Sequence, residues 1–309
     1  MTRGQSTSRW LFTLSCLASV APCWAQPQPE LRVSARVNGE AVAAAEVDRE
    51  IRQAYGDRKF EGAEQQQVFQ AALAQVIDRR LVLAHLTASG QAATSQDLDF
   101  ATAQFEKDLK SQELTLEAHL KQVGLTREDF RRSLAWKLSW QRYVEKQLTD
   151  ENLQKFFERY RREYDGSELR VAQILFKLPA EADAAAIAAA KEKAAGLRAE
   201  IAAGKFAFAA AAKQHSQAPS AAAGGDIGWI ERRRPMPEEF SKLAYSLKPG
   251  EVSPPLASPF GVHLITVLEV KPGKRTWQDA AGELRPAVTL YLFRWIADQE
   301  RAKAKIEYP

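Results

Sequence analysis

Ala223-Gly-Gly-Asp-Ile-Gly-Trp229, Met236-Pro-Glu-Glu-Phe240, Leu247-Lys-Pro-Gly-Glu-Val-Ser-Pro254 and Ser258-Pro-Phe-Gly-Val-His-Leu-Ile265 follow one another within one stretch of the chain. Each alone says little. The glycine pair is not followed by Gly-Lys-Ser/Thr, so it is no phosphate loop, and it does not spell a dinucleotide fingerprint. Working outward, Leu169 to Leu178 reads as a buried strand and Ala182 to Ala203 as an Ala-rich helix stopped by Gly204. Phe206 to His215 reads as a second helix and Ser216 to Gly225 as a small-residue loop. Further helix and strand patterns run to Val270, which makes this block α+β. Asp165-Gly-Ser167 and Lys271-Pro-Gly273 punctuate its ends.

Outside the block the period is helical. Leu31 to Val37 alternates apolar and polar residues, and Asn38-Gly39 closes it as a turn. Glu64 to Leu86 then carries a helical stripe, and Asp97 to Lys110 and Leu116 to Val123 are shorter helices. Thr126-Arg-Glu-Asp129 has the spacing of a capping box and opens a long helix. Its stripe of Phe130, Leu134, Leu138, Val144 and Leu148 is widened by Trp136, Trp140 and Tyr143. Such a wide aromatic stripe is either a core seam or an apolar face open to other chains. Asp150 to Tyr164 reads as one charged helix, and Trp277 to Ala304 as a final helix that Pro286 should begin or kink. Lys305 to Tyr308 alternates again. One arrangement accounts for these pieces: a mostly helical part, split in sequence around an inserted α+β domain, with the tail pairing on the Leu31–Val37 strand.

The 309 residues are 45% hydrophobic and 27% charged, the proportions of a folded soluble protein. The 43 Lys and Arg against 39 Asp and Glu leave +4, too balanced to point to nucleic acid. Arg3 and Arg9, the apolar run Trp10 to Val20 and Cys23-Trp-Ala25 read as an export signal cleaved before Gln26, with a membrane anchor or a lipoprotein signal at Cys16 or Cys23 as the alternatives. Both cysteines, Cys16 and Cys23, would leave with it, so the mature chain could form neither disulfides nor thiolate metal sites. The expected location is the periplasm or another compartment outside the cytoplasm, with no membrane insertion after cleavage.

In this order and spacing the four segments resemble the parvulin family of peptidyl-prolyl cis/trans isomerases, over about Leu169 to Lys271. The flanks resemble SurA/PrsA-like chaperones in architecture. The resemblance implies a parvulin-like domain (169–271) inserted in a mostly helical SurA/PrsA-like domain. That domain comprises residues 26–168 and a returning helix and tail (272–309), after a signal of residues 1–25. It implies a proline pocket of Ile227, Met236 and Phe240, the last two four apart and able to share a helical face. His263, in Gly-Val-His-Leu-Ile, matches the family's strand histidine. Without the resemblance these residues read as ordinary core.

Two positions depart from the pattern. Where the family has His in the first strand this chain has Gln173, which hydrogen-bonds but does not titrate. Where it has Cys or Asp after the second helix stands Ala218. The polar half of the site is therefore reduced to His263, Gln173 and Ser258. Isomerisation breaks no bond; it crosses a rotation barrier of roughly 18–20 kcal/mol, so no cofactor is expected. His85, His119, His215 and His263 have no ligand spacing, so no metal is expected either. The expected partners are unfolded or nascent exported polypeptides and their X–Pro segments, with no nucleic acid; a homodimer is among the assemblies the sequence allows. Arg232-Arg-Arg234 reads as a solvated loop or a contact for acidic client segments. The expected function is an exported folding factor with isomerase and chaperone activity. The rival is a binding-only chaperone whose parvulin domain has lost catalysis.

Overall fold

The computed structural model describes residues 32–179 and 181–309. The stretch read as an export signal lies outside the described residues, as do both cysteines. The chain divides into two compact units, one of residues up to Val76 with Lys305–Pro309, the other of Ile77–Ala304.

In the first unit, β1 (Val33–Val37) and β2 (Glu40–Ala43) form a hairpin. Its turn residues Asn38 and Gly39 both have positive φ, at 51° and 89°, as a type I′ turn requires. At the other end of the chain, β7 (Ile306–Glu307) pairs antiparallel with β1, Val37 opposite Ile306. Asn38 reinforces the junction: its N–H donates to the Lys305 carbonyl and its Oδ1 accepts from the Lys305 N–H. α1 (Ala44–Tyr55) follows the hairpin, and α2 (Gly62–Ala88) starts in this unit.

The second unit contains the rest of the helical stretch: α3 (Ser95–Lys110), α4 (Leu116–Val123), α5 (Arg127–Gln147), α6 (Asp150–Arg159) and α7 (Arg161–Tyr164). The starts of four are written in sequence. Thr94, Thr115, Thr126 and Thr149 each cap a helix by accepting a backbone N–H, and Thr94 and Thr126 complete capping boxes with Asp97 and Asp129. Each cap stabilises its helix by about 1 kcal/mol. The charged segment read as one helix to Tyr164 is two, interrupted at Tyr160. The aromatic stripe of α5 is core: Tyr143 is buried with Val82, Leu86 and Ile296, and Trp136 and Trp140 stack at 5.6 Å with Phe293 set edge-on to both. The Phe293 side belongs to α11 (Trp277–Arg301), which also buries Ala280, Leu284 and Val288 against Leu153 and Phe157 of α6. α11 runs from Trp277 through Pro286, so the proline lies inside the helix and does not begin it.

Between α7 and α11 lies the α+β block. β3 (Glu168–Lys177) is followed by α8 (Ala184–Ala202), α9 (Phe208–His215), a 3-10 turn (Pro219–Ala223), β4 (Asp226–Glu231), α10 (Glu238–Ser246), β5 (Leu256–Ser258) and β6 (Gly261–Lys271). The sheet is antiparallel throughout, in the order β4-β3-β6-β5. Residues alternate between its faces. One face sends Ile174, Val262 and Leu264 into a core closed by Ala190, Ala194 and Leu197 of α8 and Ala211 and Ala212 of α9. The other sends Leu169, Val171, Ile265 and Val267 into a core closed by Phe240, Ala244 and Tyr245 of α10.

Candidate functional site

The α10 face carries the polar residues. In the β3–β6 register Leu175 stands opposite His263 and Gln173 opposite Ile265, so Gln173 and His263 are diagonal neighbours on one face, within side-chain reach. His263 Nδ1 lies 2.9 Å from Gln173 Oε1, and His263 Nε2 lies 2.7 Å from Ser258 Oγ. An amide oxygen only accepts, so Nδ1 carries the proton and Nε2 accepts from the Ser258 hydroxyl. Phe240 lies edge-on to the imidazole, ring centroids 5.9 Å apart. His263 is only 5% exposed, and burial pushes its pKa below the usual histidine value of 6.5. The ring is thus a neutral, oriented hydrogen-bonding group between two uncharged partners, one that neither attacks nor ionises at neutral pH.

Each partner has a local cause. Gln173 is held by its own N–H, which donates to the Gly225 carbonyl at 2.9 Å. Gly225 has a φ of 84°, and a Cβ there would collide with the Gln173 carbonyl, so only glycine fits this approach. Ser258 ends β5, and its Oγ accepts from the Phe260 N–H at 3.1 Å, which fixes the rotamer facing the histidine. Gly261 allows the turn into β6, with a φ of 134° and its Cα packed against the Phe176 carbonyl.

The apolar side of the site is built by Phe240, which is buried, with Ile227 and Met236 packed half-buried against the same core. Ile227 is the extra residue of a bulge: Val171 pairs with Gly228 and Ala172 with Asp226, so Ile227 has no partner across the ladder. Bulges of this kind re-aim a side chain. Met236 and Phe240 do meet on one core, but not as residues of one helix. Met236 precedes α10, whose N-cap is Pro237, so the shared helical face expected from their spacing is not the reason they converge. Leu256, on β5 directly opposite His263, and Leu243 of α10 pack against the same core and were not singled out from sequence. The isolated apolar residue between Pro255 and Ser258 was the available signal for Leu256.

Ala218 is 5% exposed and caps the 3-10 turn, bringing no polar atom beyond its backbone. The three arginines are no free basic knot. Arg232 donates to both Glu238 oxygens at 2.8 Å and to Glu163 at 3.0 Å; these bonds raise its pKa above the usual arginine value, Glu238 foremost. Arg233 pairs with Glu283, and Arg234 with Glu231. Among the described residues no group of three or more His, Cys, Asp or Glu could hold a metal ion. No described helix is long and apolar enough to cross a membrane.

The α+β block is thus a four-stranded antiparallel sheet with two helices on one face and a shielded histidine under the third helix on the other. Residues 174–269 match the Rotamase family, described as the PPIC-type PPIASE domain, and residues 20–144 match the SurA-like N-terminal domain. The chain therefore carries a parvulin-type PPIase domain together with a SurA-like N-terminal domain. Among proteins, it is 30% identical over 311 aligned positions to the Chaperone SurA of Xanthomonas oryzae pv. oryzae, covering 96% of this chain and 64% of that one. Over 124 positions it is 40% identical to the Chaperone SurA of a Polaromonas species, covering 39% of this chain and 26% of the relative. The chain thus spans somewhat less than two thirds of the length of the curated relatives it matches. A solved structure, the peptidylprolyl isomerase PrsA of Bacillus anthracis, is similar at 22% identity with a TM-score of 0.32, over 75% of this chain and 96% of that one.

Proposed function

We propose that this protein is an exported folding factor: a peptidyl-prolyl cis/trans isomerase domain (169–271) carried by a helical chaperone module (26–168 and 272–309). It acts on unfolded or nascent exported polypeptides and engages their X–Pro segments. The observation that carries the reading is the neutral Ser258–His263–Gln173 chain beneath Phe240, beside the apolar side chains of Ile227 and Met236. Rotation about an X–Pro bond passes through a twisted amide that has lost its resonance and part of its charge separation. An apolar seat for the proline ring, with water excluded, favours that state over either planar form. The polar chain behind the seat has no charge to stabilise the planar amide's dipole. In this role Ile227, Met236 and Phe240 bind the ring, while His263, Gln173 and Ser258 fix the site's shape and polarity. Nucleic acid has no part in the reading, and sedimentation of the purified protein tests for a homodimer.

The test is cis/trans exchange of a short X–Pro peptide followed by NMR. Acceleration by the wild type, lost in a folded His263→Ala variant, supports the isomerase; no acceleration at any enzyme concentration refutes it. Gln173 and the apolar Ala218 favour a second reading, a peptide-binding domain without catalysis. Under it the peptide binds, its resonances shift, and its exchange rate is unchanged.

A further inference from the structure

An apolar recess lies outside the sheet, between α6 and α11. It is a cavity of about 240 Å³ walled by Phe156, Val288, Tyr291 and Leu292. Phe156 and Tyr291 stand 5.6 Å apart, ring edge to ring face. Trp295, one turn further along the face of α11 that carries Val288 and Tyr291, is half exposed. The cleft is smaller than the roughly 300–1,000 Å³ typical of small-molecule sites, so it suits one side chain and not a cofactor or an acyl chain.

Charge narrows the choice of occupant. Two cations line the cleft, Lys155 and Arg159, and no carboxylate does. Lys155 is answered by Glu151, one turn back on α6. Arg159 has no carboxylate partner among the described residues; its guanidinium lies over Tyr160 at 5.5 Å and Tyr291 at 6.0 Å from the ring centroids. Those rings hold the charge at the mouth of the cleft by cation–π contact. In the cleft beside Arg232, by contrast, Arg232, Arg233, Arg234 and Arg275 each meet a glutamate and Arg162 donates to the Leu247 carbonyl. An apolar recess one residue deep with an unanswered guanidinium at its rim calls for an apolar side chain and a carboxylate on the same residue. In a polypeptide only the C-terminal residue has both. An internal acidic residue would have to thread the chain through the recess in both directions.

We propose that the α6–α11 cleft seats the C-terminal residue of a polypeptide, aromatic or aliphatic, with its α-carboxylate paired to Arg159. The assignment is independent of the isomerase reading. The test uses the purified protein and fluorescein-labelled heptapeptides that lack proline and end in Ala-Phe, as free acid or as amide, read by fluorescence anisotropy. The acid should bind about tenfold more tightly than the amide, the size expected of one charge-assisted contact. Arg159→Gln should abolish that preference while leaving the amide's affinity as it was. Tyr291→Ala, with an unchanged thermal melt, should weaken both peptides. Equal binding of acid and amide overturns the proposal, as does an acid preference that survives Arg159→Gln or binding indifferent to Tyr291→Ala. An amidated peptide with an internal Glu-Phe that binds as tightly as the free acid overturns it too, because the terminus would then not be what is read.

Discussion

The two faces of the β3–β6 sheet are made by alternate residues of the same strands, and both are largely apolar, yet only one carries a hydrogen-bonded histidine. Beneath α8 and α9, Ile174, Val262 and Leu264 meet alanines and leucines, with Thr266 buried on the same face. Beneath α10, the neighbouring residues are Gln173 and His263, with Ser258 behind them and half-buried Ile227 and Met236 beside them. The first face only has to be dry. The second holds a buried imidazole, which is costly to keep unless both its nitrogens are partnered, and that cost is met by a chain of three side chains drawn from three strands. Under the proposed function the first face serves stability and the second recognition.

The largest effect should come from the sealed face. Leu264→Ala removes a fully buried side chain and should cost about 2–5 kcal/mol in urea unfolding, while the folded fraction turns over X–Pro peptide at the normal rate. A matching loss of turnover per folded molecule would erase the distinction between the faces. Next in size is Met236→Ala. This half-buried residue outside any helix should change stability by about 1 kcal/mol or less, yet turnover and peptide affinity should fall several-fold. Ser258→Ala is smaller again: it removes the donor to His263 Nε2 and should shift the imidazole resonances in ¹⁵N NMR, with a modest loss of turnover. Unchanged ring shifts would break the hydrogen-bonded chain as described.

The smallest effect is the pH dependence. His263 has a lowered pKa in the folded protein because it is buried, so below the unfolded value of 6.5 the unfolded chain takes up a proton that the folded chain resists. Its contribution to stability is complete above that pH and is lost as pH falls towards and through the lowered native pKa. His263→Gln should flatten this part of the stability–pH curve; a curve of the same shape in both proteins would show that some other group sets it.

Most of the fold could be read from the order of residues. The Thr-x-x-Asp box at Thr126 marked the start of α5, and the run Leu169–Leu178 and the Gly-Val-His-Leu-Ile segment marked the two central strands. The alternation of Lys305 to Tyr308 anticipated the pairing of β7 with β1. β2 was missed because Glu40-Ala-Val-Ala43 buries a single residue fully, Val42, and so shows neither period. The break at Tyr160 was missed because neither proline nor glycine marks it in the sequence. For the site, the residue types were visible but their joining was not. The contacts of His263 with Gln173 and Ser258 span 90 and 5 residues and depend on strand register. The bulge at Ile227 and the placing of Met236 before α10 depend on backbone geometry that spacing alone does not carry.

The most direct measurement uses the scarcity of methionine. The chain has two, Met1 and Met236, so ¹³C-methyl labelling of methionine places one reporter in the proposed proline seat. Titration with a short X–Pro peptide should move the Met236 methyl resonance to saturation, and the same peptide with alanine in place of proline should move it far less. A Met236 signal that stays still while X–Pro exchange is accelerated would contradict the account, because the chemistry would then be taking place away from the α10 face.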